Sequence, residues 1–137
     1  MIWGIQWDET LKWLIDTGEK TYAEIGSDST SWGNCYNNSF TYYTNTSKST
    51  ATKAKNNSTR IPSGAYEGAN ANNVFDLAGN VWDWTLESNG SRTGYGRFIR
   101  GGGYNGYGSS GPAANRGNGF PSNSYDNNGL RCALYIK

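Results

Sequence analysis

Aliphatic residues are scarce in this chain, and this scarcity constrains its fold more than any other feature. The 137 residues include only 15 Val, Ile and Leu, against 20 Trp, Tyr and Phe. An aromatic ring removes about 150–250 Å² from water when it is buried, so rings can replace aliphatic side chains in a core. The formal net charge of +1 is too small for the highly charged composition of disordered chains. The sequence therefore predicts one folded, loop-rich domain over residues 1–137, with a core built on aromatic side chains.

The composition also excludes several classes of function. The chain has no His, which excludes Ser-His-Asp and Cys-His catalysis and most zinc and haem sites. Its balanced charge argues against a nucleic-acid partner. No apolar run approaches the roughly 18 residues that cross a bilayer, and no secretion signal begins the chain, so we expect no membrane insertion. Cys35 and Cys132 permit one disulfide at most, and we predict two reduced, buried thiols because nothing else marks an oxidising compartment.

One segment has a clear helical pattern. Residues 7–18 place four apolar side chains on one face of a 3.6-residue period: Trp7, Leu11, Leu14 and Ile15. Asp8 and Glu9 would suit the positive amino-terminal end of such a helix, and Gly18 would suit its carboxyl-terminal cap. The pattern predicts an amphipathic helix that packs on the core.

Polar residues dominate the next part of the chain, from residue 26 to residue 73. Ser, Thr, Asn, Gly and Lys predominate there and are interrupted by Trp32 and by the cluster Phe40-Thr41-Tyr42-Tyr43. We expect long loops pinned by the aromatic side chains, with one short strand. The basic residues of this part fall in a stretch without an acid, which is typical of a solvated loop: Lys48, Lys53, Lys55 and Arg60.

Three later segments have the pattern of strands: 81–87, 97–100 and 130–136. Alternation in the first puts two sets of residues on opposite faces, Val81, Asp83, Thr85 and Glu87 on one and Trp82, Trp84 and Leu86 on the other. Trp82 and Trp84 are the candidates for burial in the core. One helix followed by strands and long loops indicates the α+β class.

Residues 103–128 have an unusual composition. Of these 26 residues, 21 are Gly, Asn, Ser, Tyr, Asp or Phe, a mixture that cannot bury a core by itself. Loops of this length are usually functional or disordered. Antibody binding loops use the same residues, because Tyr supplies rigid contact area while Ser, Gly and Asn supply adaptable hydrogen bonds. A recognition surface and a merely long surface loop both remain open on composition alone.

Three motifs carry a resemblance to a known family. Residues 73–85 read NVFDLAGNVWDWT, residues 100–103 read RGGG, and residues 129–133 read GLRCA. In this order the motifs resemble the signature of the formylglycine-generating, sulfatase-modifying family, and the match covers residues 73–137 well. The resemblance implies an α+β, C-type-lectin-type fold of the formylglycine-generating-enzyme-like kind, loop-rich with short antiparallel strands.

The same resemblance argues against an enzyme. Catalysts of this family carry two cysteines shortly after the Arg-Gly-Gly turn, which bind copper and activate oxygen. The matching positions in this chain fall near Gly106 and Gly111, and neither is Cys. Without His or paired Cys there is no soft metal site. We therefore expect no catalytic residues and no required cofactor.

A closer resemblance, over residues 6–137, is to the variable proteins that diversity-generating retroelements diversify in gut bacteria and their phages. Adenine changes convert an Asn codon to Tyr, Ser, Gly, Asp or Phe, the residues that crowd 103–128. The resemblance implies a hypervariable region at 98–130 and a protein or carbohydrate ligand on a cell surface, with the domain carried by a phage particle or a bacterial surface. The candidate ligand-binding residues are Tyr104, Asn105, Tyr107, Ser110, Asn115, Asn118, Phe120, Ser124, Tyr125, Asp126 and Asn127.

Two alternatives stay open at this point. In the enzyme family a calcium ion is held at the first motif, and the matching positions are Asp76, Gly79, Val81 and Asp83. Calcium takes six to eight oxygen ligands, so the chemistry is suitable. The alternative is that the two carboxylates only cap turns, since diversified relatives need not retain the ion. For the whole chain, the alternative to a binding domain is a catalytically inactive member of the enzyme family with a structural role.

Overall fold

Two helices precede eight short strands along the chain. The computed structural model describes residues 1–90 and 96–132. The mixture of few helices and short, mainly antiparallel strands confirms the predicted α+β class. The elements are α1 (Gly4–Asp16), α2 (Tyr22–Gly26), β1 (Phe40–Tyr43), β2 (Thr50–Lys53), a 3-10 turn (Glu67–Ala69), β3 (Asn70–Ala71), β4 (Val74–Phe75), β5 (Trp82–Ser88), β6 (Arg97–Arg100), β7 (Arg116–Gly119) and β8 (Asn128–Leu130).

Helix α1 confirms the predicted apolar face. Trp7, Leu11 and Leu14 are buried and Ile15 is half-buried. The helix ends in a Schellman motif, in which Gly18 has a φ of +75° and its N–H donates to the Ile15 carbonyl at 2.9 Å. Gly18 therefore has the predicted role at the end of the helix.

The start of α1 differs from the prediction. The helix begins at Gly4 rather than at residue 7, so Asp8 and Glu9 lie beyond its first turn and do not serve its amino-terminal end. Asp8 instead forms an ion pair with the buried guanidinium of Arg100 on β6. The acidic residue joins the helix to the sheet.

The largest sheet has four strands in the order β7-β6-β5-β8. The strands predicted at 81–87 and 97–100 are confirmed as β5 and β6, which pair antiparallel. The strand predicted at 130–136 is wrong in its bounds: β8 covers Asn128–Leu130 and pairs parallel to β5. Arg131 and Cys132 are not in a strand, and positions 133–136 lie outside the described residues.

The two faces of β5 are reversed with respect to the expected burial. Asp83 and Thr85 are buried, whereas Trp82 and Trp84 are only half-buried. The Thr85 hydroxyl donates to the Phe98 carbonyl at 2.9 Å, which satisfies the polar group inside the fold. The tryptophans therefore lie on the face of the sheet that points away from α1.

The prediction of a core built on aromatic side chains is wrong in its extent: Trp7, Trp32 and Phe40 are buried, but most of the buried hydrophobic residues are aliphatic. Trp7 is fully buried, and its indole N–H donates to the Ala113 carbonyl at 2.9 Å. Trp32 belongs to the same cluster. A second, smaller cluster has Phe40 at its centre, stacked on the ring of Tyr66 with centroids 3.9 Å apart.

The segment 26–73 is more ordered than predicted. It contributes the hairpin β1–β2 and the first strand of the pair β3–β4, rather than one short strand. Lys53 is not solvated: it is buried, and its ammonium donates to the carbonyls of Cys35 and Asn38, both at 2.8 Å. Burial lowers the pKa of this lysine. The other three basic residues of the stretch are exposed, as expected.

The prediction of two reduced, buried thiols is half wrong. Cys35 and Cys132 are both free, but only Cys35 is buried, while Cys132 is exposed. Burial raises the pKa of the Cys35 thiol to about 12. The expected burial of Cys132 rested on its place in a closing strand, and β8 ends two residues before it.

Candidate ligand-binding surface

The segment 103–128 is not a long surface loop throughout. Its residues 116–119 form β7, which pairs antiparallel with β6. Gly111, Pro112 and Ala113 are buried, and Ala113 belongs to the main core cluster. The Arg100 guanidinium donates to the Ala114 carbonyl at 2.9 Å. The middle of the segment is therefore tied to the core by its backbone and by small residues.

Backbone atoms also hold the first part of this segment. The Tyr36 N–H donates to the Gly106 carbonyl at 2.8 Å, and the Ser29 N–H donates to the Gly108 carbonyl at 3.2 Å. In return, the Gly108 N–H donates to Oδ1 of Asn37 at 3.1 Å. Tyr107, between the two anchored glycines, is half-exposed and places its ring 5.5 Å from the ring of Tyr36. The backbone is fixed here while the side chain points outwards.

Glycines let β7 lie close to the two tryptophans of β5. A Cβ on Gly117 would lie 2.9 Å from Ile99 and 3.3 Å from the Trp82 ring, and a Cβ on Gly119 would overlap the Trp84 ring. The Tyr125 ring lies 6.2 Å from the Trp84 ring. We call this face of the sheet, away from α1, the tryptophan face.

The predicted ligand-binding residues are largely accessible. Eight of the eleven are exposed, namely Asn105, Tyr107, Ser110, Asn118, Phe120, Ser124, Tyr125 and Asp126, and three are half-buried, namely Tyr104, Asn115 and Asn127. The half-buried three are held in part by the fold. For example, the Tyr104 N–H donates to the Asn80 carbonyl, and the Asn127 carbonyl accepts from the Trp82 N–H, both at 2.8 Å.

The structure does not bring all of these residues to one place. Tyr125 lies beside Trp84 on the tryptophan face, and Asn115 donates its amide to the Ser110 carbonyl at 2.8 Å near Gly111. Asn118 lies between Gly117 and Gly119 on β7, so alternation puts its side chain on the opposite face of the sheet. Residues of the tryptophan face can therefore share one ligand, and Asn118 cannot join them there.

Sequence reasoning missed four contributors to this surface. Trp82 and Trp84 were candidates for the core, yet they form part of the accessible face. Tyr36 stands beside Tyr107, and the exposed Arg60 donates to the Asp126 carbonyl at 3.0 Å. The alternation along β5 puts both tryptophans on one face and leaves open which face the core covers. It could therefore have indicated that the tryptophans lie on an accessible face. No local pattern marks Tyr36 or Arg60.

The residues of the candidate calcium site lie close together. Asp76, Val81 and Asp83 line one cavity of about 270 Å³, and Gly79 occupies the adjoining turn with a φ of +70°. Oδ2 of Asp76 accepts from the Ser63 hydroxyl and the Gly64 N–H, both at 2.8 Å. Among the described residues, no group of three or more acidic, Cys or His side chains converges on a shared point.

The carboxylates of Asp76 and Asp83 differ in their hydrogen-bond partners. Oδ1 of Asp76 is buried and has no hydrogen-bond partner, so this oxygen fits a hard cation. Oδ2 of Asp83 accepts from Nε and Nη2 of Arg131, both at 3.3 Å. Burial raises the pKa of Asp83 to about 6, against the opposing effect of Arg131. The cavity fits a cation at Asp76, while a guanidinium already balances part of the charge on Asp83.

The comparisons with known proteins agree with the first of the two resemblances. No helix in the described part of the chain has the length and apolar character that a bilayer crossing needs. Neither the curated proteins nor the solved structures contain a match to the chain. The model of the sulfatase-modifying factor enzyme 1-like domain matches residues 9–136, which is nearly the whole sequence. The chain therefore belongs to the FGE-sulfatase family.

Proposed function

We propose that this domain is a non-enzymatic ligand-binding module on a C-type-lectin-type fold, with a retroelement-diversified surface within residues 98–130. Its ligand is a protein or carbohydrate on a cell surface, and a phage particle or bacterial surface carries the module. One observation carries the proposal: the backbone around Tyr107 accepts hydrogen bonds from the N–H groups of Tyr36 and Ser29 and donates one to Oδ1 of Asn37, while the Tyr107 side chain is half-exposed.

This arrangement suits a position that varies in sequence. The anchoring bonds use the carbonyl of Gly106 and the carbonyl and N–H of Gly108, which do not depend on the side chain between them. A different residue at position 107 would therefore keep the backbone in place. Tyr107 and Tyr125 are the natural anchors for a ligand, because exposed rings lose little entropy on binding and interface hot spots favour Tyr.

The cysteines support a role without oxidase chemistry. The positions where the family's catalysts carry cysteine fall near Gly106 and Gly111 in this chain. Cys35 is buried, and its raised pKa of about 12 keeps the thiol protonated at neutral pH. A protonated thiol is a poor nucleophile and a poor metal ligand. The other thiol of the chain, Cys132, is exposed and forms no disulfide with Cys35.

The test of this function begins with a screen of cell-surface proteins and glycans from gut bacteria. For a binder found there, Tyr107→Ala and Tyr125→Ala should each weaken binding at least tenfold, or about 1.4 kcal/mol, and leave the melting temperature unchanged. Tyr22→Ala is the matched control, because Tyr22 is 78% exposed on α2. If Lys48 and Lys55 substitutions abolish binding and the tyrosine substitutions do not, the surface has been misplaced.

Sibling sequences from the same genome test the diversification separately. Substitutions concentrated at Asn-derived codons within 98–130, together with a neighbouring reverse transcriptase gene, would support the proposal. Changes spread evenly along the chain would instead favour the catalytically inactive family member with a structural role.

We further propose that calcium, where it binds, is held by Asp76 and Asp83 with the carbonyls of Gly79 and Val81, and that it stabilises the fold. The unpartnered Oδ1 of Asp76 supports this assignment. Binding to the folded state alone adds about 2.7 kcal/mol at a hundredfold excess over the dissociation constant. A chelator should therefore lower the melting temperature of the wild type and leave Asp83→Asn almost unmoved. An unchanged wild type would mean that the two carboxylates serve only the turns and Arg131.

A further inference from the structure

A second cavity lies away from the tryptophan face, between the β1–β2 hairpin and the turn that precedes the 3-10 helix. Its volume is about 430 Å³, which exceeds that of the cavity at Asp76. The residues that matter for the argument are Tyr43, Asn45, Thr46, Lys48, Ser63 and Glu67. None of them belongs to the candidate ligand-binding residues of 103–128, and the inference does not depend on the function proposed above.

Hydrogen bonds hold both walls of this cavity in place. The Tyr43 N–H donates to the Ala65 carbonyl at 2.9 Å and joins the hairpin to the opposite turn. Oδ1 of Asn45 accepts from the Ser49 N–H at 3.1 Å and closes the hairpin loop. On the other wall, Asp76 accepts from the Ser63 hydroxyl. A ligand would therefore meet a site that is already formed, which lowers the entropic cost of binding.

The charges around the cavity cancel. Lys48 and Glu67 contribute one positive and one negative charge, and neither has an ion-pair partner among the described residues. Both are exposed, and exposed charges are screened by water and contribute little binding energy by attraction alone. We expect the two side chains to contact a ligand through hydrogen bonds, in which the Lys48 ammonium only donates and the Glu67 carboxylate only accepts. The site therefore favours an uncharged ligand that both donates and accepts.

The remaining groups of the cavity restrict the class of ligand further. The ring of Tyr43 is half-buried in the wall, with the Lys48 ammonium 5.5 Å from its centroid. The Thr46 hydroxyl and the Asn45 amide add further hydrogen-bonding groups, and the ring adds an apolar surface. A sugar ring matches this set, because its hydroxyls donate and accept at the rim while its C–H groups present an apolar face. We infer that this cavity binds an uncharged saccharide unit, with Tyr43 beneath the sugar ring and Lys48 and Glu67 on its hydroxyls.

The test is a titration of the isotope-labelled protein with four probes: D-glucose, D-galactose, D-mannose and N-acetyl-D-glucosamine. We expect at least one of them to shift the backbone amide signals of residues 44–48 and 63–67 in a saturable way. Free glycine, a zwitterion, serves as the probe for recognition by charge. If no sugar shifts these amides at tens of millimolar, or if glycine binds more tightly than every sugar, the inference is wrong.

Two variants assign the binding to the cavity. Glu67→Ala and Lys48→Gly should each weaken saccharide binding about tenfold, since each removes a charged hydrogen-bond group. Lys48 has a φ of 59°, which glycine adopts without strain, so this variant should keep the hairpin intact. Glu9→Ala, an exposed change on α1, is the control. Binding that survives both variants would overturn the assignment, as would binding lost in Tyr107→Ala and Tyr125→Ala, which belong to the other surface.

Discussion

The cluster around Trp7 and the segment 103–128 are held in place in opposite ways. Trp7 is fully buried, and its contacts are made by the side chain itself. Gly106 and Gly108 are held by hydrogen bonds of their backbone atoms. The free energy of unfolding should therefore depend on side-chain identity in the first region and hardly at all at the exposed positions of the second. A protein divided in this way can change its surface without changing its stability.

Trp7→Ala should have the largest effect on stability, and it tests the first half of the comparison. Removing a fully buried indole should cost about 3–5 kcal/mol of unfolding free energy. The change also leaves the Ala113 carbonyl without its 2.9 Å partner. Denaturant unfolding of the variant beside Trp13→Ala is the measurement, since Trp13 is 44% exposed on the same helix. Equal losses in both variants would contradict the role given to burial.

Asp83, buried on β5, makes the stability of the fold sensitive to pH in protein freed of divalent cations. Burial raises its pKa from 3.8 to about 6 in the folded state, so the folded protein holds this proton more tightly than the unfolded chain. The contribution of Asp83 to the free energy of unfolding is then fully present below about pH 4 and is lost as the pH rises to about 6. The amount lost is on the order of 3 kcal/mol.

Asp83→Asn removes this titration. The measurement is the unfolding free energy of the wild type and of the variant, with a chelator present, from about pH 4 to pH 7. As the pH rises, the unfolding free energy of the wild type should fall relative to that of the variant. A constant difference across this range would show that the Asp83 pKa is not raised.

Trp84→Ala should have an effect on stability between those of the two regions. Because the ring is half-buried on the tryptophan face, we expect a loss of about 2 kcal/mol, clearly below that of Trp7→Ala. Thermal melts of both variants under identical conditions give the comparison. A loss as large as that of Trp7→Ala would mean that the tryptophan face is part of the core.

Alanine substitutions in the segment should have the smallest effect. Asn105→Ala, Tyr107→Ala, Asn118→Ala and Tyr125→Ala should each change stability by only about 0.5 kcal/mol, as at ordinary surface sites. All four side chains are exposed. If their melting temperatures fall as far as that of Trp84→Ala, the segment is held by its side chains and the comparison fails.

Local patterns were sufficient to predict α1, β5 and β6, because the helical and strand periods are visible in consecutive residues. They were not sufficient for the orientation of β5. Alternation separates Asp83 and Thr85 from the two tryptophans, but only the tertiary structure decides which set α1 covers. The burial of Lys53 could not be predicted either, since it depends on the carbonyls of a loop fifteen to eighteen residues earlier.

The candidate surface was predicted in its residues but not in its shape. Composition indicated exposed Tyr, Asn and Ser in 103–128, and eight of the eleven candidates are exposed. The sequence could not show that Asn118 lies on the other side of β7 from Gly117 and Gly119, because the strand itself was not predicted there. The contribution of Tyr36 depends on a contact over a long separation in the chain, which no local pattern carries.

The parallel pairing of β5 with β8 has a consequence for folding kinetics. β5 pairs with the next strand, β6, and also with two distant parts of the chain: β8 and Ile2, which bridges to Thr85. Closing long loops before their contacts form is slow, so the sheet should be completed late, after residues 128–130 have returned to β5. The chain between β6 and β8, which includes β7, must close in every variant. Substitutions there can therefore alter the rate of folding, and with it the yield of native protein, while the equilibrium stability stays the same.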